Sequence, residues 1–330
     1  MLFSNIFKYL LFFTLCLSFN RSYSQHDFCV LFYNVENLFD IYDDTTKSDN
    51  EFLPTSKKYW TQTRYNDKLS KLVKVFASQS QMPDIIGLAE VENTKCLKDL
   101  IFNTPLSKFK YAYVHYESPD IRGIDVALLY KKDNLQVISS KAVAIEFPYN
   151  SLSKTRDILY VKVYSNKLKD TLHLMVNHWP SRRGGKKKSE DKRIYVAAVV
   201  RSMADSIMCL KSDSKILIMG DLNDNPSDLS IKKTLLTGEE VCDTCIVRMQ
   251  TNNFDGTYKF QGRWGIIDHF IANGNLLTTY NCKASILNES FLLKPDDKNF
   301  GVIPFKTYIG MKYEGGFSDH LPIYFILDRK

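Results

Sequence analysis

The residues equipped for chemistry sit where short apolar runs stop. Ile216-Leu217-Ile218-Met219 is a continuous apolar run, the mark of a strand buried on both faces, and Gly220-Asp221-Leu222-Asn223 follows it at once. An acid and an amide at i and i+2 reach the same side of a sheet edge. Strand ends of this kind carry ligand and catalytic groups in α/β proteins. Asp, Asn, Gly and Pro also form ordinary turns, so this stretch alone fits a plain turn equally well. Other runs in the chain end similarly. Asn34 follows Phe28–Tyr33, Glu90 follows Ile85–Ala89, and His178 closes the run at 170–177. Asp268 lies within 265–272, and Asp319-His320 stands just before Leu321–Leu327.

Carboxylates, amides and imidazoles without thiolates suit a hard divalent cation. Mg2+ is the first expectation, with Mn2+ or Ca2+ as alternatives, because such ions take few carboxylates together with waters and phosphate oxygens. Two histidines flanking a phosphate would supply a proton carrier and a stabilising charge. Hydrolysis of a phosphate ester needs that set: a Lewis acid, an oriented water and donors for the developing charge.

The elements that must position these groups alternate in type. Tyr65, Leu69, Leu72, Val73 and Phe76 recur at helical spacing and predict a helix over 61–78. A second helix is predicted from about Ser189 to Leu210. Short runs rich in Val, Ile, Leu and Tyr at 111–116, 123–131, 157–165, 170–177, 256–261 and 265–272 predict strands. Crossovers of strand, helix, strand mixed with strands lacking helices argue for mixed sheets covered by helices.

The chain has 330 residues, 44% hydrophobic and 25% charged, which are globular values that exclude wholesale disorder. Tyr and Phe number 19 and 21, a richness that favours sheet over helical bundle. Lys8, the apolar run Tyr9–Phe19 and Ser22-Tyr23-Ser24 have the layout of a secretory signal peptide over residues 1–24. That run is short for a membrane span. The expected product is one exported catalytic domain, 25–330, periplasmic or extracellular, and monomeric with no stable protein partner. Losing Lys8 and Arg21 leaves 42 basic residues against 37 acidic ones, a mild bias towards polyanions. Export permits disulfides, but Cys242-Asp-Thr-Cys245 lacks a second pair at zinc-finger spacing, so a structural zinc site there is not expected.

Six motifs in order carry a family resemblance: Tyr33-Asn34-Val35-Glu36-Asn37-Leu38-Phe39-Asp40, Leu88-Ala89-Glu90-Val91-Glu92-Asn93, Val176-Asn177-His178-Trp179-Pro180-Ser181, Gly220-Asp221-Leu222-Asn223-Asp224, Ile267-Asp268-His269-Phe270-Ile271 and Ser318-Asp319-His320-Leu321-Pro322. Together they resemble the endonuclease/exonuclease/phosphatase superfamily over about residues 28–327. The resemblance implies a four-layer α/β sandwich, two packed mixed β-sheets flanked by helices. It implies metal-binding roles for Asn34, Glu90 and Asp319. It implies that Asp221 orients or activates the attacking water and that Asn223 holds phosphate or metal. His320 is implied near the scissile phosphate, oriented by Asp268, with His178 as the second histidine. Arg122 falls where deoxyribonuclease I has a phosphate-contacting arginine.

Asp125 is unusual inside an apolar strand, since burying an unpaired charge is costly. It is expected to orient His178 or touch a metal-bound water, unless it faces solvent. Glu36, Glu92, Asp224 and His269 adjoin stronger candidates, and alternation favours structural roles for them. His115 and His173 fit no motif. Arg182 and Arg183, with Lys186, Lys187 and Lys188, are expected at the rim of the site, where positive charge suits a phosphate backbone. No run of aromatics interleaved with basic residues signals a base-stacking platform. The expected activity is a secreted divalent-metal-dependent phosphodiesterase, an endonuclease hydrolysing nucleic-acid phosphodiester bonds by in-line water attack, with 5′-phosphate and 3′-hydroxyl ends implied in the nuclease branch. A sphingomyelinase-like phospholipid phosphodiesterase, a small phosphate-ester phosphatase and a non-catalytic scaffold are the alternatives.

Overall fold

The computed structural model describes residues 28–235, 237–238, 246–248 and 254–330. The predicted signal peptide, Cys242 and Cys245 lie outside these residues. Among the described residues, Cys96, Cys209 and Cys282 are free thiols.

The apolar runs become central strands. β1 (Phe28–Leu38) and β2 (Ile85–Val91) pair in parallel, bridged by α1 (Gln62–Phe76). Then come α2 (Thr94–Phe102), β3 (Tyr111–His115) and β4 (Asp125–Lys131). β5 (Leu135–Val143), β6 (Ile158–Ser165) and β7 (Asp170–His178) form a meander. The crossover α3 (Glu190–Leu210) leads to β8 (Lys215–Asp221), parallel to β7. β9 (Thr237–Gly238) and β10 (Ile246–Arg248) are short, as are β11 (Tyr258–Phe260) and β12 (Arg263–Gly265). β13 (Asp268–Asn273), α4 (Gly274–Thr279) and β14 (Tyr280–Ile286) follow. The ribbons β15 (Leu293–Pro295) with β16 (Val302–Pro304) and β17 (Tyr308–Ile309) with β18 (Lys312–Tyr313) precede the closing β19 (Ile323–Arg329).

Two mixed sheets result. One has the order β14-β19-β1-β2-β4-β3, the other β5-β6-β7-β8-β13-β10-β9. They pack face to face, as the Phe270 and Phe325 rings show, stacked across the interface at 5.2 Å. The approach is close enough that a Cβ on Gly87 would lie 2.7 Å from the Met219 sulfur. α1 and α2 cover the outside of the first sheet through Leu69, Leu72, Phe76 and Leu97. α3 covers the second through Val196, Ala197, Val200 and Ala204, against Ile216, Ile218 and Ile271. The expected four layers are present.

Both predicted helices and most predicted strands form within a few residues of their expected bounds. β5, whose residues are mostly exposed or half-buried, β14 and the short α2, which Asn93 caps by accepting from the Cys96 amide, were not expected from the sequence.

Candidate active site

The parallel pairs β1–β2 and β7–β8 end at the same edge of the sandwich, and their last residues face one another across the gap between the sheets. At the centre is Asp221, 2% exposed. Its Oδ2 accepts a hydrogen bond of 3.0 Å from the Asn34 amide. The same oxygen lies 3.6 Å from His178 Nε2 and 3.7 Å from His320 Nε2. His178 Nε2 is also 3.8 Å from Glu90 Oε1, and His320 Nε2 is 3.9 Å from Asp319 Oδ1. Two imidazoles, three carboxylates and an amide therefore converge from both sheets.

The backbone is bent to achieve this. Glu90 and Asn223 adopt positive φ of 66° and 53°, and Glu36 and Asn37 adopt 51° and 55°. These are left-handed conformations that side chains other than glycine rarely take, at a cost of roughly 1–3 kcal/mol each. A register shift at each of the strand ends Asn34/Leu38 and Ala89/Val91 accompanies them. The Asn37 amide donates to Glu90 Oε2 at 2.9 Å, and the Asn223 amide donates to Asp221 Oδ1 at 2.9 Å. The strained turns thus hold one carboxylate from each sheet. Gly220 is required at the same edge, because a Cβ there would sit 2.4 Å from the Asn177 carbonyl oxygen.

His320 is fixed by Asp268, whose Oδ2 is 2.8 Å from Nδ1. The Ser318 hydroxyl accepts from the His320 amide at 3.1 Å and donates to the Asn34 carbonyl at 2.7 Å, tying β1 to this turn. Burial disfavours the imidazolium, but the charges of Asp268 and Asp221 outweigh it and hold the His320 pKa well above the usual value. His178 goes the other way. Burial pushes its pKa well down, and the positive charges of Arg156, Arg122 and His320 add to this. The Asp221 carboxyl is raised to about 7 by burial, a rise that His320 moderates and Asp268 reinforces. The two histidines thus divide into one charged and one neutral partner of one carboxylate.

The predicted catalytic and metal residues Asn34, Glu90, His178, Asp221, Asp268, Asp319 and His320 come together in this cleft. Asn223 lies at its wall, donating from its amide to the Trp179 carbonyl at 3.1 Å. Arg122 is partly exposed beside Asp120, its Nε 3.5 Å from Asp120 Oδ1. Arg183 is exposed.

Two expectations need correction. Asp125 does not meet His178. Its Oδ1 accepts from the Ser118 amide at 2.9 Å, and its Oδ2 is 3.2 Å from His115 Nε2. The register explains this: His115 is opposite Ala127, so Asp125, two residues away on the same face, is its diagonal neighbour. Arg182 is not free to meet substrate either. Its guanidinium donates to the Asn223 carbonyl, to Asp228 at 2.9 Å and to Asp224 at 3.3 Å, pinning the loop after Asn223.

Three residues next to the site went unread. Arg156, buried, donates to the His178 carbonyl at 3.0 Å, to the Trp179 carbonyl, and to Asp120 at 3.0 Å. It lies between predicted strands with no periodicity to mark it. Lys68 is buried behind Glu36 and Asp319, donating to the Thr307 hydroxyl at 2.7 Å and the Phe317 carbonyl at 2.5 Å. Its place between Tyr65 and Leu72 on the apolar stripe of α1 was the available signal. Tyr258 lays its ring 4.9 Å from that of His320, with Lys306 5.9 Å above it. Glu36 and Asp224 are structural as expected: Glu36 accepts from the Thr307 amide at 2.7 Å, and Asp224 pairs with buried Arg193 at 2.8 Å.

The donors present suit a hard cation. The cluster offers oxygens and imidazole nitrogens without thiolate, and ligand atoms of Asp221, Asp268 and His320 lie within 4.8 Å of one another. Asp268 Oδ1 and His178 Nδ1 are buried without a hydrogen-bond partner, as expected where further polar groups complete the site.

The sequence profile of the Endonuclease/Exonuclease/phosphatase family matches residues 29–329. No curated protein matches the chain. Among solved structures, a mannosyl-6-phosphatase of Bacteroides thetaiotaomicron superposes with a TM-score of 0.58 at 15% identity, covering 91% of this chain and 99% of that one. The human Nocturnin catalytic domain with bound sulfate gives 0.56 at 13% identity, over 92% and 95%. D. rerio TDP2 complexed with a single-strand DNA product gives 0.55 at 14% identity, over 92% and 99%. At these identities the likeness is one of fold.

Proposed function

The chain belongs to the endonuclease/exonuclease/phosphatase family, and from that premise we propose that it is a divalent-metal-dependent phosphodiesterase whose substrate is nucleic acid. The observation that carries the reading is Asp221 flanked by His178 and His320, with Asn34 donating to the same oxygen.

Asn34, Glu90 and Asp319 are the residues that would hold the cation, Mg2+ by the hardness of the donors. When bound, it supplies Lewis-acid stabilisation of the phosphoryl oxygens. Asp221, as carboxylate, orients the attacking water and accepts its proton. His320, held protonated by Asp268, donates from Nε2 to the charge developing on the phosphoryl group. Neutral His178 donates from its own Nε2 on the other side. Asn223 and Arg156 hold the walls in place.

Nucleic acid is favoured over a small monoester by charge outside the cleft. Arg122 is partly exposed, Arg183, Lys187 and Lys188 are exposed, and Tyr258 offers a ring beside His320 under Lys306. Such positive groups suit a chain of phosphates, and the TDP2 structure cited above was solved with a DNA product. The small-ester reading rests on the likeness to the mannosyl-6-phosphatase. Export through residues 1–24 belongs to the proposal, on the layout of that segment.

The test is a substrate comparison in Mg2+. Supercoiled plasmid, mannose 6-phosphate and sphingomyelin are each incubated with the protein, with EDTA as control. Metal-dependent nicking of plasmid faster than turnover of either other substrate is expected. An intact plasmid beside rapid release of phosphate from the sugar would transfer the assignment to a monoesterase.

A further inference from the structure

The short ribbon of β11 and β12 stands beside the catalytic cleft and has two unlike faces. Lys259 is opposite Trp264, and Phe260 is opposite Arg263. Paired residues share a face and successive residues alternate, so Lys259 and Trp264 lie on one side and Tyr258, Phe260 and Arg263 on the other. The first face is bound within the protein. Lys259 is buried, its Nζ 2.9 Å from Asp296 Oδ2, and donates to the Phe300 carbonyl at 2.9 Å and the Val302 carbonyl at 3.0 Å. Trp264 meets the Phe254 ring edge to face at 5.1 Å.

The second face is open. Phe260 is 61% exposed and Arg263 is exposed, and among the described residues neither stacks on another ring nor pairs with a carboxylate. Tyr258 carries this face to the cleft: its ring lies 4.9 Å from that of His320, with the Lys306 ammonium 5.9 Å from the same ring. The ribbon is held at both ends. At its root the Thr257 carbonyl accepts from the Leu321 amide at 2.7 Å, and the Thr257 hydroxyl accepts from the Ile267 and Asp268 amides at 3.2 and 3.3 Å. At its tip Gln261 and Gly262 have φ of 48° and 79°, the positive values that the tightest two-residue hairpin turns require. Phe260 and Arg263 flank that turn, so ring and cation are presented by a fixed ribbon.

We propose that this face binds a run of unpaired nucleotides, with Tyr258 and Phe260 stacking on bases beside the scissile phosphate and Arg263 and Lys306 meeting backbone phosphates; the proposal rests on the nucleic-acid reading above and narrows it to single-stranded substrate. Exposed rings beside cations, leading away from a phosphate-directed histidine, have the chemistry of a stacking track. Inside a duplex both faces of a base are covered by its neighbours, so a protein ring stacks only where a base is unpaired or splayed out. Residues two apart on a strand start roughly 6.6 Å from one another. The duplex advances about 3.4 Å per nucleotide of each strand, so this spacing suits an opened-out strand. The sequence predicts no such platform, because rings and charges at 258–264 sort to opposite faces only once the ribbon folds.

The test measures binding apart from cleavage. Asp221→Asn in Mg2+ leaves the strand uncut, and fluorescence anisotropy gives its affinity for a fluorescein-labelled single strand and for the same strand annealed to its complement. The single strand is expected to bind tighter by about tenfold or more. In that background Phe260→Ala should weaken the single strand by about fivefold or more and the duplex by less than about twofold, while Phe260→Trp retains the preference. Arg263→Gln should lower the salt dependence of single-strand binding by about one phosphate contact. Phe260 is exposed, so its truncation reads stacking and not folding. A duplex bound as tightly as the single strand, or a single strand bound equally by Phe260→Ala, overturns the platform. So does binding of sphingomyelin vesicles that Phe260→Ala abolishes while neither oligonucleotide binds, which would give this face to a membrane. Plasmid left intact by the parent chain beside the expected affinities would overturn the nuclease reading and leave the platform standing.

Discussion

At the scale of the residue, function here is a matter of unequal environments imposed on like groups. His178 and His320 face the same carboxylate oxygen, yet burial, helped by the Arg156 charge, holds one pKa well below the usual imidazole value and Asp268 holds the other well above it. Asp268→Asn keeps the shape but removes the charge that raises His320. It should lower kcat/KM by about 10²–10⁴, the range for a lost acid–base partner, and move the alkaline limb of the pH profile to lower pH. A profile of unchanged shape would mean that Asp268 only packs. Asp221, raised to about 7 by burial, predicts the acidic limb. The carboxylate is the working form, so the rate should fall as pH drops through about 7. Mg2+ favours the carboxylate and should carry that limb to lower pH as its concentration rises, a shift that initial rates over a pH series would reveal.

At the scale of the element, the site depends on strands that end in the right place. The apolar runs that specify β1, β2, β7 and β8 were visible in the sequence because double-sided burial leaves no alternation to misread. The polar residues closing them were visible for the same reason. Pairing was less legible: Asp125 could be placed at the start of a strand, but only the β3–β4 register shows that it faces His115. Arg182 lay in a basic run that suggested a solvated rim, and nothing local announced Asp224 and Asp228 as its partners. Gly220 shows how tight the edge is. Gly220→Ala would drive a methyl onto the Asn177 carbonyl, a contact of 2.4 Å before relaxation, and should cost about 1–3 kcal/mol in urea unfolding. A cost near zero would mean that β7 and β8 can spread without loss.

At the scale of the whole molecule, the sandwich buries acids at the catalytic end, and this links stability to pH. Glu92 accepts from the Asp40 amide at 2.6 Å, and burial pushes its carboxyl up to about 8. The folded state therefore holds a proton that the unfolded chain releases near pH 4.5, the model-peptide range. That contribution is present in acid and is lost as pH rises through about 8, at no more than about 1.4 kcal/mol per pH unit. Glu92→Gln cannot titrate, so its Tm should fall less than the parent's between about pH 5 and pH 9; an equal fall would contradict the burial argument. The central claim concerns the cleft where the two sheets meet, and one measurement tests it most directly: turnover of a generic phosphodiester, bis(p-nitrophenyl) phosphate, in Mg2+ by the parent chain, by the parent in EDTA and by His320→Ala. The account predicts hydrolysis that EDTA abolishes and that His320→Ala lowers by about 10²-fold or more. Turnover that persists equally in all three would place the chemistry elsewhere.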